Sequence, residues 1–579
     1  MLKRPFVGIF VVFFLIGCLS VMKESKVQVT DKQAEGQIEG VVFDIVEKAN
    51  TTELHLENCV FQVNEGKTYH VGNVIVYYSK NSRNSKKSKY YFNSEYSRDS
   101  KTNILIGNHI VVEGTLESFI TPRNLGQFNE YIYYRSRNYH FKFYGDEVLI
   151  IGGTVNYLKE VLRELRSQLA DVYDIHLEEK EAGIIKAMVL GEKSGMDKEV
   201  KELYQQNGIG HLIAISGLHI TLVAGALYKI LERIGSPKKV TSILTMVFIW
   251  LYGLMTGFSV STNRAVVMMI LSLMAGIVGR TYDMPTALSI SGIIILAQKP
   301  MLCVDSGFLL SFGAILGIGI VNPILVKGLK LEKTREEKLR DKKSKRYKSA
   351  FSKFKAAMQE MIKKSLLASL SVQIVTLPVI LYFYFEIPLY GVILNIVVIP
   401  LMSILLGTAL VGGIVGILFP FMPFLSRFFM GTVHVILNWY EKLGSVTREL
   451  PFSRIIVGKP GIWQVGIYYM LLVILLYVLY AMNEMCEGRE TGQLASKIGG
   501  KEWKKDLKKL WEVWIKLSLQ RKRGICTIWL LISSICLVPI QSVKAFAPEL
   551  ELTFVDVGQG DCIFMRSKSG FTCLVDSVK

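Results

Sequence analysis

The sequence offers little with which to hold a metal. Its eight cysteines include no Cys-x-x-Cys pair and no Cys/His cluster at ligand spacing. Cys18, Cys303, Cys526 and Cys536 fall in or beside apolar stretches, and Cys59 is alone in its region. Cys562 and Cys573 share one candidate hairpin, with nothing to support a bond between them. A disulfide scaffold and a clustered zinc site are thereby excluded. No glycine-rich ATP-binding motif occurs, so any work the chain takes part in draws its energy from elsewhere. Acid is scarce too: 49 Asp and Glu stand against 68 Lys and Arg, a net charge of +19.

Charge of either sign is missing from long segments, and this absence decides the class. Half of the 579 residues are apolar. Phe6–Val21, Leu212–Leu231, Ala265–Val278, Phe308–Val326, Leu366–Phe385, Leu389–Phe419 and Val465–Met482 are the plainest uncharged runs. A bilayer core of ~30 Å demands roughly 20 such residues per helix, so a soluble protein is excluded. The expected fold is a polytopic α-helical membrane protein of about ten spans. The further spans are read near 241–257, 264–280, 285–298, 303–326 and 424–446, with Pro400 a candidate break of 389–419 into re-entrant halves. The basic charge is concentrated between them: Lys327–Lys364 holds 15 Lys and Arg against 5 acids, and Glu484–Gly524 is similarly basic. Both read as cytoplasmic loops by the positive-inside rule, and with Lys3 and Arg4 inside the crossing parity closes without adjustment. By charge alone the same loops would also attract phosphates. Lys3-Arg4, an apolar run and Leu15-Ile16-Gly17-Cys18 imitate a lipoprotein signal, although a plain first span is the expectation.

Between Lys23 and Gly152 the texture changes. Ile38–Val46, Glu53–Val63, Asn73–Tyr78, Ile110–Glu117 and Tyr139–Ile150 alternate as short strands, which suits a small OB-like barrel placed outside the membrane. The Ser79–Lys101 connection is rich in Ser, Asn and Lys, with Lys86 and Lys87 candidates for electrostatic capture. Val161, Leu162, Leu165, Leu169 and Val172 repeat at helical spacing, as for a helix lying on a membrane or against another helix. Trp503, Leu507, Leu510, Trp511, Trp514 and Leu517 give a second such face.

The least ordinary membrane segment is His211-Leu-Ile-Ala-Ile-Ser216-Gly217-Leu-His219-Ile, where polar groups open an apolar run. Polar side chains in lipid face a cavity or a partner helix, and hydrogen bonding between helices is the plainer alternative. His211 and His219 are eight apart, a poor geometry for sharing a metal. Outside, Tyr131, Tyr133, Tyr134, Arg135, Arg137, Tyr139, His140, Phe141 and Lys142 interleave rings and cations, the combination that stacks bases and tracks phosphates. Ordinary alternation in a strand is an equal alternative.

The His211–Ile220 segment resembles the signature of the ComEC-type competence proteins, and other stretches match in order. Pro122-Arg-Asn-Leu-Gly-Gln-Phe-Asn-Glu-Tyr resembles their extracellular motif, with Leu125 departing from the usual Pro. Leu190-Gly-Glu-Lys-Ser, Tyr204–Gly210, Thr256–Ala265 and Ser306–Ala314 resemble successive channel segments. The resemblance implies a channel importing single-stranded DNA, with Arg264 touching phosphates and Ser311 and Asn395 lining the path. A paired structural arginine is the alternative for Arg264. Single-stranded DNA, a membrane DNA receptor, a cytoplasmic motor or helicase and the lipid bilayer are the implied partners, with a homo-oligomer left open and no cofactor. Leu552-Thr-Phe-Val-Asp556-Val-Gly-Gln559-Gly-Asp561 resembles the opening motif of a metallo-β-lactamase-like domain, and Asp576-Ser577 its next element. The His-x-His-x-Asp-His motif is not found, so no working nuclease is expected here and a truncated product, even an inactive remnant, is an alternative.

The expected organisation is a first span (1–22), an extracytoplasmic β domain (23–152), an amphipathic connector (153–207), a channel domain (208–483), a basic loop (484–524), a last span (525–540) and the hydrolase-like segment (547–579). The expected place is the inner membrane, with the β domain and the C-terminus outside. A competing reading from another class is an intramembrane serine hydrolase pairing Ser216 with His434.

Overall fold

A computed structural model describes residues 4–24, 33–48, 51–63, 66–79, 104–124, 126–329, 350–491, 519–538, 549–557 and 562–576. Lys86, Lys87, Leu125, the Trp503–Leu517 face, Gln559, Asp561 and Ser577 lie outside the described residues.

An apolar helix, α1 (Pro5–Glu24), precedes five strands: β1 (Ala34–Glu47), β2 (Thr51–Val63), β3 (Thr68–Ser79), β4 (Asn108–Glu117) and β5 (Tyr139–Gly153). Alternation sends one side of each strand inward, so Ile38, Leu54, Leu56, Val74, Val76, Ile110, Val112 and Phe143 are fully buried together. The strands pair in the order β1-β2-β3-β5-β4, with β4 returning to β1 and β3 parallel to β5. A glycine is required at 114, where a Cβ would meet the Tyr144 carbonyl at 1.9 Å beside a register shift between β4 and β5.

The segment Tyr131–Lys142 is not one strand. Asn129 caps a short helix, α2 (Glu130–Ser136), by accepting from the Ile132 N–H, and the chain turns through Asn138 at φ 70° into β5. The connector is broken as well. Its pieces are α3 (Tyr157–His176), α4 (Glu179–Ile185), a π-helical turn (Lys186–Leu190) and α5 (Lys198–Gln206). The apolar stripe of α3 divides along its length: Val161 and Leu165 are exposed, whereas Leu169, Val172 and Tyr173 are buried.

The remaining helices are α6 (Gly217–Arg233), α7 (Lys238–Met255), α8 (Val260–Val278), α9 (Met284–Gln298), α10 (Ser306–Leu316), α11 (Asn322–Gly328), α12 (Ala350–Tyr384), α13 (Gly391–Leu418), α14 (Pro423–Glu449), α15 (Ile462–Thr491) and α16 (Leu519–Ile535). Among the described residues, seven stretches are long and apolar enough to cross a membrane: Pro5–Lys23, Lys238–Met255, Val260–Val278, Ser306–Gly328, Lys355–Tyr384, Gly391–Leu418 and Ile462–Ala481. Met284–Gln298 and Gly524–Ile535 are apolar but shorter. The run expected to span from 212 begins instead as a 3-10 turn (Gly210–Ile213), and its helix starts only at Gly217. The run near 424–446 falls short because α14 interrupts its apolar face with Arg427, His434, Asn438, Glu441 and Lys442. Pro400 does not split α13, which continues through it for 28 residues.

α1 packs beside α9 in parallel: Arg4 pairs with Asp283 at 2.8 Å at one end, and Gly17 meets Pro300 and Cys303 at the other. The buried half of α3 lies on α13, where Tyr173 Oη donates to the Ala409 carbonyl at 3.3 Å. Two glycines make that approach possible: a Cβ at Gly413 would stand 2.9 Å from Tyr173 Oη, and one at Gly416 2.6 Å from Val172.

Candidate functional site

The His211–Ile220 segment folds into a cap. Ser216 is extended at φ −106° and precedes α6, and the third helical position is His219 in place of the usual Glu or Gln. The Ser216 N–H donates to His219 Nδ1 at 3.1 Å, and the two side chains meet at 2.7 Å. A backbone N–H can only donate, so Nδ1 is an acceptor and the neutral ring carries its proton on Nε2. His219 is fully buried, and Nε2 has no partner.

Arg264 stands one helix away, near the start of α8, which Ser259 caps by accepting from the Thr262 N–H at 3.3 Å. It is buried. Nη1 donates to the backbone carbonyl of Ser311 on α10, and Nη2 lies 3.4 Å from where a Cβ on Gly217 would be. Nε has no partner, and among the described residues no carboxylate pairs with this guanidinium. A buried cation thus sits against the amino end of α6, the positive end of that helix. Ser311 contributes its carbonyl, and Gly217 the space. Arg264 Nε–H and His219 Nε2–H are each without a partner among the described residues, and unpaired buried donors of this kind suit an anion.

His211 is exposed on the 3-10 turn and hydrogen-bonds the Gly208 backbone, yet it stands close enough to His219 for the two rings to interact electrostatically. Asn395 stands apart on α13, with Nδ2 donating to Ser369 Oγ at 3.5 Å and a buried Oδ1 that has no partner. Ser216 and His434 are not brought together. His434 Nδ1 lies 2.7 Å from Glu181 and its Nε2 3.0 Å from Asn438, while Ser216 bonds His219. Among the described residues no three His, Cys, Asp or Glu side chains are grouped for a metal.

The residues that interleave rings and cations divide. Tyr133 is exposed, with the Arg137 guanidinium 3.7 Å from its ring centre and Phe128 edge-on at 5.1 Å. Tyr134 stacks on buried Phe119 at 4.4 Å, and so is packed rather than presented. Arg135 is half-buried on α2. Arg137 reaches across to the membrane domain, where Nη2 pairs at 2.8 Å with Asp305. Sequence reasoning passed over Asp305, a buried acid whose Oδ1 also caps α10 at the Phe308 N–H. A lone acid ahead of an apolar helix signals a cap, and nothing local names a partner 168 residues away. Lys142 is buried between Glu117 at 3.4 Å and Glu130 at 4.0 Å. Burial opposes its charge, but Glu130 and Glu117 hold the ammonium above its ordinary pKa. Burial also lowers the pKa of His55, which bonds Tyr139 Oη through Nδ1 at 2.5 Å and has no partner at Nε2.

Asp556 follows β8 (Leu550–Val555), which joins β9 (Cys562–Ser567) and β10 (Thr572–Asp576) in a three-stranded sheet. Its N–H donates to Asn124 Oδ1 and its carbonyl accepts from Asn124 Nδ2, both at 2.8 Å, with Arg123 3.5 Å from the carboxylate. Two stretches singled out in the sequence, Pro122–Tyr131 and Leu552–Asp561, therefore meet.

Residues 188–482 match the family described as "Competence protein". ComE operon protein 3 of Bacillus subtilis (strain 168) is 24% identical over 456 residues, covering 78% of this chain and 49% of that protein. Recombination protein 2 of Haemophilus influenzae is 31% identical over 140 residues, 23% of this chain and 18% of its own. Competence protein ComA of Neisseria gonorrhoeae is 30% identical over 95 residues, 15% of this chain and 14% of its own. The chain spans about half the length of the Bacillus protein. No solved structure matches.

Proposed function

We propose, from the premise that this chain belongs to the Competence protein family, that its membrane domain is a passage for single-stranded DNA into the cell during transformation. The carrying observation is Arg264: a buried guanidinium at the amino end of α6 whose Nε has no partner, and with no carboxylate paired to it among the described residues. Phosphodiester oxygens supply what that group lacks, negative charge and several acceptors at once. The test is uptake of labelled DNA in a strain lacking its own channel, complemented by the chain or by Arg264→Glu. Internalised single strands with the first and none with the second support the passage. Equal uptake by both, at equal membrane levels, sinks it.

In this reading about ten helices cross the cytoplasmic membrane, α6 and α14 among them. Contacts between helix ends support that count. Arg4 with Asp283 and Gly328 with Leu479 join ends assigned inside. Arg137 with Asp305, Gly208 with Pro388, β6 (Glu386–Pro388) with β7 (Arg454–Ile456), and Gln464 with the Cys536 carbonyl join ends assigned outside. Every pair agrees with the alternation of crossings. The five-stranded domain is read as an external OB-like barrel seated over α10 and α12, with Tyr133 and Phe128 as its stacking surface. A membrane DNA receptor and a cytoplasmic motor complete the partners. No catalytic role is proposed for Ser216, because His219 is committed through Nδ1 to capping α6.

A further inference from the structure

We propose that Cys18 and Cys303 form a disulfide that ties the first helix to the outer end of the membrane domain. α1 approaches the 3-10 turn Pro300–Val304 so closely at Gly17 that a Cβ there would lie 2.4 Å from the Pro300 carbonyl and 2.9 Å from Cys303 Sγ. The next residue, Cys18, brings its thiol within hydrogen-bonding reach of Cys303. Both are free thiols in this structure. The helix that carries Cys18 is built into the fold. Phe10 stacks on Phe312 with ring centres 5.9 Å apart, and Phe13 and Phe14 pack in the same cluster as Cys303. Cleavage ahead of Cys18, as lipidation would require, removes all three rings from that cluster. A crosslink keeps them.

The chemistry needs an external disulfide as oxidant, and the reading of this end as extracytoplasmic places it in an oxidising compartment. Cys18 is half-buried and Cys303 is 1% exposed, so Cys18 reacts first. Its thiolate attacks the oxidant's disulfide, forming a mixed disulfide and releasing one thiol. Cys303 then gives up its proton and attacks the Cys18 sulfur, expelling the second thiol. Two protons and two electrons leave the pair, and the oxidant is reduced to two thiols. Cys303 is closed off from an external reagent once α1 is in place, so the exchange belongs to the stage at which α1 is still docking.

The test uses the full chain with a specific protease site inserted between β3 and β4. Membranes are quenched in acid, alkylated with N-ethylmaleimide, cleaved and run on a denaturing gel without reductant. One band that separates into two on reduction is expected. Cys18→Ser and Cys303→Ser should each give two bands without reductant. Two bands from the parent without reductant overturn the proposal. In the uninterrupted chain, mass spectrometry of an unreduced digest should find the Cys18 and Cys303 peptides joined, and finding only the separate alkylated peptides overturns it equally. Neither readout depends on DNA passage, so loss of the bond and loss of uptake are separable results.

Discussion

At the scale of single residues, the membrane site is an excess of donors. The Arg264 guanidinium keeps its positive charge in Arg264→Lys but loses the planar fork that spans Ser311 and the start of α6. A charge-assisted hydrogen bond is worth about 1.5–3 kcal/mol, so uptake should fall roughly ten- to a hundredfold with Lys and further with Glu. Complementation assays at matched expression check the order; Lys equal to wild type would mean that only charge matters. His219→Gln separates capping from passage. Gln is an accepted third residue of a capping box, so the melting temperature in detergent should hold while uptake drops roughly tenfold with the lost Nε2–H. Ser216→Ala should do the reverse, costing about 1 kcal/mol of stability as an N-cap while DNA still passes. Abolished uptake at full stability in Ser216→Ala would revive a chemical role for that hydroxyl.

At the scale of elements, the period of the sequence told a great deal. Alternation over Ile38–Val46 and Ile110–Glu117 marks strands because one side of each must be buried, and Ile38, Val42, Ile110 and Val112 are the residues inside. The apolar runs likewise announced α1, α8, α12, α13 and α15. Legibility failed where two rules compete. Tyr131–Ser136 has the composition of a strand, yet Asn129 and Glu130 open a helix there. Pro400 reads as a breaker, yet α13 needs only one lost donor to pass it. The candidate site was half visible: polar residues in an apolar run were conspicuous, but their partners were not. Asp305 is a lone acid and Glu181 one of three acids in Glu178–Glu181, and the roles of both come from contacts far along the chain. The strand domain also carries a pH dependence. His55 has its pKa lowered by burial, so the unfolded domain binds the extra proton first. Stability is full above the unfolded value of 6.5 and declines as pH falls below it. Limited proteolysis of the β domain in the full chain should accelerate between pH 7.5 and 5.5, and His55→Phe should flatten that rise. An unchanged slope would remove His55 as the titrating group.

At the scale of the whole molecule, the contacts that join the strand domain to the membrane domain include a charged pair. Arg137 and Asp305 pair at 2.8 Å, with the Asp305 side chain 6% exposed. Gly126 comes within contact of Phe385, and Asn124 holds Asp556. An acid as covered as Asp305 requires its partner, so Arg137→Ala leaves it uncompensated as well as freeing the domain, at a cost of about 1.5–3 kcal/mol. If the pair aligns the external domain with the passage, Arg137→Asp should lower uptake of DNA, and Asp305→Arg alone should do the same. The double exchange restores opposite charges across the same gap, though it gives up the Asp305 cap on α10. Uptake by the double variant should recover to within severalfold of wild type, well above either single change. Crosslinking across the seam should follow the same order, because alignment and passage are then one event. Recovery of the crosslink without recovery of uptake would show that Arg137 itself meets DNA, and would return it to the stacking surface beside Tyr133.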